Sequence, residues 1–157
     1  MGKIGKIILC VFVCLLVGLL GSLSTSPAIP TWYATLIKPS FNPPNWLFGP
    51  AWTLLYILMG VAVALVWDKI GEKKEVPMGI LIFGVQLLLN CLWSIIFFGY
   101  HSPFYAFIEI IFMWLAILAT ILYFSKISKT AAWLLVPYIC WVSFAMLLNF
   151  SIYRLNP

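Results

Sequence analysis

The sequence predicts an all-α integral membrane protein, a bundle of five transmembrane helices. Of its 157 residues, 64% are hydrophobic and only 8% are charged, whereas about a quarter of the residues of a soluble domain carry charge. Five apolar segments are long enough to cross a hydrocarbon core, which takes about 20 residues. Only Glu109 places a formal charge inside any of them. The alternating pattern of a membrane β-barrel is absent, and helices satisfy their backbone amides within lipid.

The five segments follow one another as one domain over residues 1–157. They are predicted at residues 7–23, 46–67, 76–99, 104–124 and 130–153. The first could instead be a signal peptide, because Lys3 and Lys6 precede its apolar run, although no Ala-x-Ala cleavage site follows it. Of the four connections, residues 25–45 form the longest, and Pro103 is well placed at the start of the fourth helix.

Lysine and arginine predict the orientation of the chain. With five crossings, the N-terminus and the loops at 68–75 and 125–129 lie on one side, which holds seven lysines: Lys3, Lys6, Lys69, Lys73, Lys74, Lys126 and Lys129. The other side has only Lys38 and Arg154. This bias favours a cytoplasmic N-terminus and places the 25–45 loop and the C-terminus outside. The net charge of +5 therefore reflects topology, and we expect no nucleic acid partner.

The sequence offers little for hydrolytic or metal-dependent chemistry. Its four cysteines, Cys10, Cys14, Cys91 and Cys140, lie in apolar segments without Cys-x-x-Cys spacing or histidine neighbours, so we expect small core residues. The single histidine, His101, lies in a short loop, and no serine or cysteine has an evident base partner. We therefore expect no metal site and no cofactor.

The chain is most distinctive between residues 32 and 60. Prolines at 39, 43, 44 and 50 stiffen this stretch, and six aromatic residues offer flat apolar faces: Trp32, Tyr33, Phe41, Trp46, Phe48 and Trp52. A long loop in a compact protein usually carries function or is disordered. The proline and tryptophan content argues against disorder, so we predict a lid formed by residues 32–45 over a binding site, followed by a helix.

Helical spacing predicts faces that could line a pocket under this lid. Gln86, Asn90 and Trp93 share one face of the third segment, and Trp141, Ala145 and Leu148 share one face of the fifth. On the second segment Trp52 and Tyr56 lie one turn apart. Such a mostly apolar pocket with a few polar groups is typical of a small-molecule site.

Two structural interpretations compete with this binding pocket. Gln86 and Asn90 could serve only as hydrogen-bonding contacts between helices. Tryptophans at segment ends, namely Trp46, Trp67 and Trp133, fit an aromatic belt at the membrane surface. For Glu109 we favour a protonated or hydrogen-bonded structural role over proton coupling, since no matching intramembrane base is present.

Short blocks spread over nearly the whole chain then resemble one family, the tryptophan-rich sensory proteins, also called translocator proteins or peripheral-type benzodiazepine receptors. The blocks include Trp32-Tyr33, Phe41-Asn42-Pro43-Pro44, Phe48-Gly49-Pro50-x-Trp52, Gln86-Leu87-x-Leu89-Asn90, Phe97-Phe98-Gly99, Pro137-Tyr138-x-x-Trp141 and Phe144-Ala145-x-x-Leu148-Asn149. The chain looks like a bacterial-type member, which implies the bacterial cell membrane and a homodimer.

The resemblance implies that the bundle binds porphyrins such as protoporphyrin IX and haem, and isoquinoline or benzodiazepine compounds, in a cavity capped by the first long loop. By motif, the expected ligand-binding residues are Tyr33, Pro43, Trp52, Asn90, Trp141, Ala145 and Leu148. A receptor role in porphyrin handling or stress signalling is the leading expectation. Light-dependent porphyrin breakdown, with Trp52 and Trp141 as catalytic candidates, and transport of porphyrins or sterols are the alternatives.

Two departures from the family pattern bear on sterols and dimers. The cholesterol motif needs at least one residue between its tyrosine and its basic residue, whereas Tyr153 and Arg154 are adjacent. Strong sterol binding is therefore not expected. The Gly-xxx-Gly spacing that some members carry on the third helix is also missing, since Gly79 and Gly84 are five residues apart.

Overall fold

The computed structural model describes residues 2–157, and all of its regular elements are helical. The helices are α1 (Lys3–Ala28), α2 (Trp32–Thr35), α3 (Asn45–Trp67), α4 (Val76–Ser94), α5 (Pro103–Ile127), α6 (Lys129–Leu134) and α7 (Val136–Leu155). A π-helical turn, Ile95–Gly99, continues α4. Five spans, with α4 and its π turn as one and α6 and α7 as another, are long and apolar enough to cross a membrane. The predicted all-α membrane bundle is thus confirmed.

The helix boundaries differ from the predicted ones chiefly at the end of α1, in the loop that follows it and within the last span. Helix α1 continues to Ala28, beyond the predicted end at residue 23, and the loop that follows contains the short helix α2. Hydroxyl groups explain the extension, because Ser22 and Thr25 hydrogen-bond the carbonyls of Leu19 and Gly21 and so need no other partner within the helix. The last span is interrupted at Leu135, and Pro137 lies in the first turn of α7.

Helix α1 packs closely on α3 through glycines. A Cβ atom on Gly60 would overlap the backbone of Val11, and one on Gly18 would meet the ring of Tyr56. Small residues of this kind let membrane helices approach each other without a hydrophobic driving force. Because α1 is part of this packing, the structure favours a membrane helix over a signal peptide for the first segment.

Helices α4 and α5 pack on each other through an aromatic pair and a glycine. Phe83 and Phe124 stack with ring centroids 5.9 Å apart, and a Cβ on Gly79 would lie 3.1 Å from Ile127. The Gly79 position therefore belongs to packing within the chain. Gly84, by contrast, has nothing within 4 Å of the place where a Cβ would lie.

Most of the lysines lie at one end of the bundle. Lys6 of α1 forms a 2.9 Å ion pair with Asp68 at the end of α3, and this hydrogen bond lowers the pKa of Asp68 below its ordinary value. At the same end the Lys73 amine donates to the carbonyl oxygen of Lys126 at 2.9 Å. The opposite end carries α2 and the rest of the 32–45 segment.

Candidate functional site

A cavity of about 560 Å³ lies in the half of the bundle beneath the 32–45 segment. Its walls come from the second half of α1, from Tyr33 of α2, and from α3, α4 and α7. Six aromatic side chains form much of the surface: Phe48, Trp52, Trp93, Phe97, Trp141 and Phe144. This volume lies within the range of about 300 to 1,000 Å³ found for small-molecule pockets.

Trp52 and Trp141, the two tryptophans expected to contact a ligand, both line this cavity. The Trp52 ring lies 5.9 Å from Tyr56 and 6.3 Å from Tyr138, measured between centroids. Trp141 packs against Phe48 and Phe144. Its indole Nε1 is buried and has no hydrogen-bond partner within residues 2–157. A buried N–H without a partner is costly, so this group is an unexplained feature of the cavity wall.

Ala145 and Leu148 complete the predicted face of α7, and both lie on the cavity wall. Asn90 is not among the lining residues, so its contact with a ligand stays a prediction. Its Oδ1 accepts a hydrogen bond from the Tyr56 hydroxyl, and its Nδ2 donates to the Tyr138 hydroxyl at 2.8 Å. The Tyr138 hydroxyl in turn donates to Gln86 Oε1 at 2.9 Å. Asn90 is therefore committed to a buried network that holds Tyr56 and Tyr138.

The lid contributes one of its two predicted residues to the cavity. Tyr33 is 3% exposed and lines the wall. Its hydroxyl donates to Asn42 Oδ1 at 2.8 Å, while burial raises the pKa of Tyr33 to about 12, so the side chain is neutral at physiological pH. Pro43 is not among the lining residues, so its contact with a ligand stays a prediction. Its carbonyl oxygen accepts from Asn42 Nδ2 at 3.0 Å and so helps to shape the lid.

Several lining residues were not predicted from the sequence. Ser22, Thr25 and Ser26 lie on the cavity side of α1, and the last two fall in the stretch that was assigned to the loop. Phe97 and Phe98 reach the cavity from the π turn, where the Tyr100 N–H donates to the carbonyl of Ile95 at 2.9 Å. A π turn is a frequent feature of functional sites in helices. The block Phe97-Phe98-Gly99 was the only signal in the sequence.

Trp93 is fixed in place by a polar contact. Its Nε1 donates to Asn149 Oδ1 at 3.1 Å, and Asn149 Nδ2 donates to the carbonyl of Pro103 at 2.8 Å. The Trp93 ring also stacks on Phe97 with centroids 5.1 Å apart. These contacts join α4, α5 and α7, so this part of the wall is rigid before any ligand arrives.

Glu109 lies outside this site. Its side chain is 7% exposed and does not line the cavity. Neither carboxyl oxygen has a hydrogen-bond partner among the residues that the structure describes. Of the two structural roles expected from the sequence, protonated or hydrogen-bonded, the described residues provide no partner for the hydrogen-bonded one, and the protonated one stays a prediction.

A family model supports the resemblance noted in the sequence. The model of the TspO/MBR family matches residues 10–154, which include every wall of the cavity and the lid. The chain belongs to the TspO/MBR family. Membership accounts for the five-helix membrane architecture and for the tryptophan-rich blocks around the cavity.

Relatives in three kinds of organism show how widely the family is spread. A tryptophan-rich protein TspO of Chlorobaculum tepidum is 50% identical over 149 residues, 95% of this chain and 94% of the relative. A protein of the same name from Archaeoglobus fulgidus is 44% identical over 96% of this chain and 97% of its own length. The human translocator protein is 41% identical over 80% of this chain and 75% of its own length.

Proposed function

We propose that this TspO/MBR family protein is a membrane receptor for planar aromatic ligands. The ligand classes are tetrapyrroles, such as protoporphyrin IX and haem, and isoquinoline or benzodiazepine compounds. The observation that carries the proposal is the aromatic cavity beneath the lid, with Trp52 and Trp141 on its wall. Stacking on aromatic rings and burial of apolar surface would supply most of the affinity.

Side-chain donors that already have partners within the protein are not free to bind such a ligand. Asn90 and Trp93 have partners within the protein, whereas Trp141 Nε1 has none among the described residues. We therefore assign to Trp141 Nε1 the hydrogen bond to a carbonyl or carboxylate of the ligand. Asn90 acts indirectly, because it positions Tyr56, which lines the cavity, and Tyr138 below it.

A titration with protoporphyrin IX tests this receptor function. The shift of the porphyrin's own absorption band reports binding, so the removal of tryptophans does not alter the signal. We expect the double variant Trp52→Phe and Trp141→Phe to weaken binding about tenfold, because two aromatic contacts and one donor are lost. The matched control is Trp67→Phe with Trp133→Phe, two tryptophans outside the cavity. Equal affinity in both double variants would refute the proposal.

A second function, light-dependent porphyrin breakdown, is favoured by the ring distances around Trp52. Trp52, Tyr56 and Tyr138 are oxidisable side chains with centroids 5.9 and 6.3 Å apart, so an electron could pass from them to a photo-excited porphyrin. Illumination of the complex should then give a product that the Trp52→Phe and Trp141→Phe variant does not form. Equal rates of porphyrin bleaching in both proteins would exclude the enzyme.

The location and the assembly of the receptor are further proposals. We infer that it lies in a bacterial cell membrane with its N-terminus in the cytoplasm, as the lysine distribution favours. Labelling of the exposed Lys74 by a membrane-impermeant amine reagent tests this, since intact cells should protect it and broken cells should not. We also propose a homodimer, which cross-linking in native membranes would detect. Gly79 is not part of its interface, because this glycine packs on Ile127 within the chain.

A further inference from the structure

A second concave site lies at the lysine-rich end of the bundle. It is a groove of about 530 Å³ between the end of α5 and the segment α6 to α7. Its lining residues are Ile121, Ser125, Lys129, Ala132, Trp133 and Val136. None of them lines the aromatic cavity, which opens toward the other end, so the groove is a separate site.

The groove is apolar at one end and cationic at the other. Ile121, Ala132 and Val136 provide hydrocarbon surface, while Lys129 is the first residue of α6 and has an exposed side chain. Ile121 precedes the last residue of α5 by six positions, so the apolar part reaches about 9 Å toward the middle of the bilayer. A phospholipid has a matching arrangement, because its charged headgroup is followed by an apolar acyl chain.

Trp133 places the mouth of the groove at the membrane surface. Its side chain is 71% exposed even though the residue belongs to a span. Tryptophan prefers the headgroup level, where its ring contacts acyl chains and its N–H contacts polar groups. Lys129 is one helical turn before Trp133, so the amine and the indole lie on the same side of α6.

The charges around the groove favour an anionic ligand. The end of the bundle carries seven lysines against three acids, Asp68, Glu72 and Glu75. Two lysines, Lys6 and Lys69, are paired with Asp68 and Glu72, and the described residues contain no ion pair that involves Lys129. The contact from Lys73 to the Lys126 carbonyl brings two further amines to the end of α5.

We propose that this groove binds an anionic glycerophospholipid of the surrounding leaflet. The phosphate contacts Lys129, the acyl chain lies along Ile121, Ala132 and Val136, and Trp133 covers the glycerol region. Basic grooves between membrane helices bind anionic headgroups in this way. A free phosphate ion would not use the apolar wall, so the lipid is the occupant.

Fluorescence quenching in bilayers tests this lipid site. The protein is reconstituted in phosphatidylcholine that contains a fixed fraction of phosphatidylglycerol with brominated acyl chains. The fluorescence of Trp133 is obtained by subtracting the fluorescence of the Trp133→Phe variant. Trp46 is the reference, because it is 70% exposed and lies at the other end of the bundle, at the aromatic cavity and outside the groove. We expect brominated phosphatidylglycerol to quench Trp133 more strongly than Trp46, and brominated phosphatidylcholine to quench both equally.

Two lysine variants separate a built site from a diffuse surface charge. Lys129→Gln should lower the preference of Trp133 for phosphatidylglycerol about fivefold, the effect of one lysine near an anionic membrane. Lys74→Gln removes the same charge at the same end but outside the groove, and it should leave the preference nearly unchanged. Both side chains are exposed, so both variants should fold. Equal losses in the two variants, or equal quenching by both lipids, would overturn the proposal.

Discussion

The side-chain amide of Asn156 pairs with the backbone of Ile37, 119 residues away in the chain. The Ile37 N–H donates to Asn156 Oδ1 and Asn156 Nδ2 donates to the Ile37 carbonyl, both at 2.9 Å. The same Nδ2 also donates to the carbonyl of Ile152 at 2.8 Å. The end of α7 therefore holds the lid directly.

Loss of this pairing should make the lid easier to open. We expect Asn156→Ala to release a bound porphyrin about fivefold faster, since each net hydrogen bond contributes about 1 kcal/mol and these two are exposed. Stopped-flow displacement by excess competing ligand measures the rate. Asn156→Asp keeps the acceptor but loses the donor, so its rate should be intermediate. A rate for Asn156→Ala equal to that of the unaltered protein would show that the lid opens elsewhere.

The buried network beneath the cavity should matter for stability. Tyr138→Phe leaves both Asn90 Nδ2 and Gln86 Oε1 without a partner, and unpaired buried groups of this kind cost about 2 kcal/mol together. We expect a lower unfolding midpoint in a thermal or denaturant titration in detergent. Tyr105→Phe is the control, because Tyr105 is 65% exposed. Similar midpoints for the two variants would argue against a structural role for the network.

The close contact of α1 with α3 depends on the glycine at position 60, which has no side chain. Gly60→Ala would place a methyl group in the backbone of Val11, so we expect the helices to separate and stability to fall by about 1 to 3 kcal/mol. Gly84→Ala, whose new methyl group meets nothing within 4 Å, should be neutral or stabilising, because alanine favours the helix. The comparison of their unfolding midpoints is the measurement. A neutral Gly60→Ala would mean that α1 packs more loosely than described.

The buried Glu109 should lower the stability of the folded bundle. Neither of its oxygens has a partner in the described part of the chain, and a buried polar group left unpaired costs about 1 to 3 kcal/mol. Glu109→Leu is therefore expected to raise the unfolding midpoint. Thr120→Val is the control within α5, since the Thr120 hydroxyl already hydrogen-bonds the carbonyl of Ala116 at 2.7 Å. A lower midpoint for Glu109→Leu would point to a polar contact that this state of the protein lacks.

The sequence predicts the spans and the aromatic wall because both follow from local patterns. Runs of apolar residues define the helices, and spacing along one helix places Trp141, Ala145 and Leu148 on one face. Spacing along one helix does not predict the contacts of Asn90, since its amide hydrogen-bonds Tyr56 and Tyr138 on two other helices. Helical periodicity identifies the face of a polar residue but not its partner.

The ends of the helices are harder to predict for a different reason. Thr25 looks like a loop residue by composition, yet its hydroxyl hydrogen-bonds the carbonyl of Gly21 in the preceding turn and the helix continues. The π turn at Ile95–Gly99 leaves no mark in hydropathy, although it brings Phe97 and Phe98 to the cavity. Both features belong to the site, so its outer rim is the part that sequence patterns describe least well.

A structure of the protein with protoporphyrin IX would show whether the cavity is the porphyrin site. We expect a porphyrin inside the cavity, with its ring between Trp52 and Trp141, Trp141 Nε1 donating to a ligand oxygen and the lid closed above Tyr33. A porphyrin bound on the outer surface of the helices, with the cavity unoccupied, would contradict it.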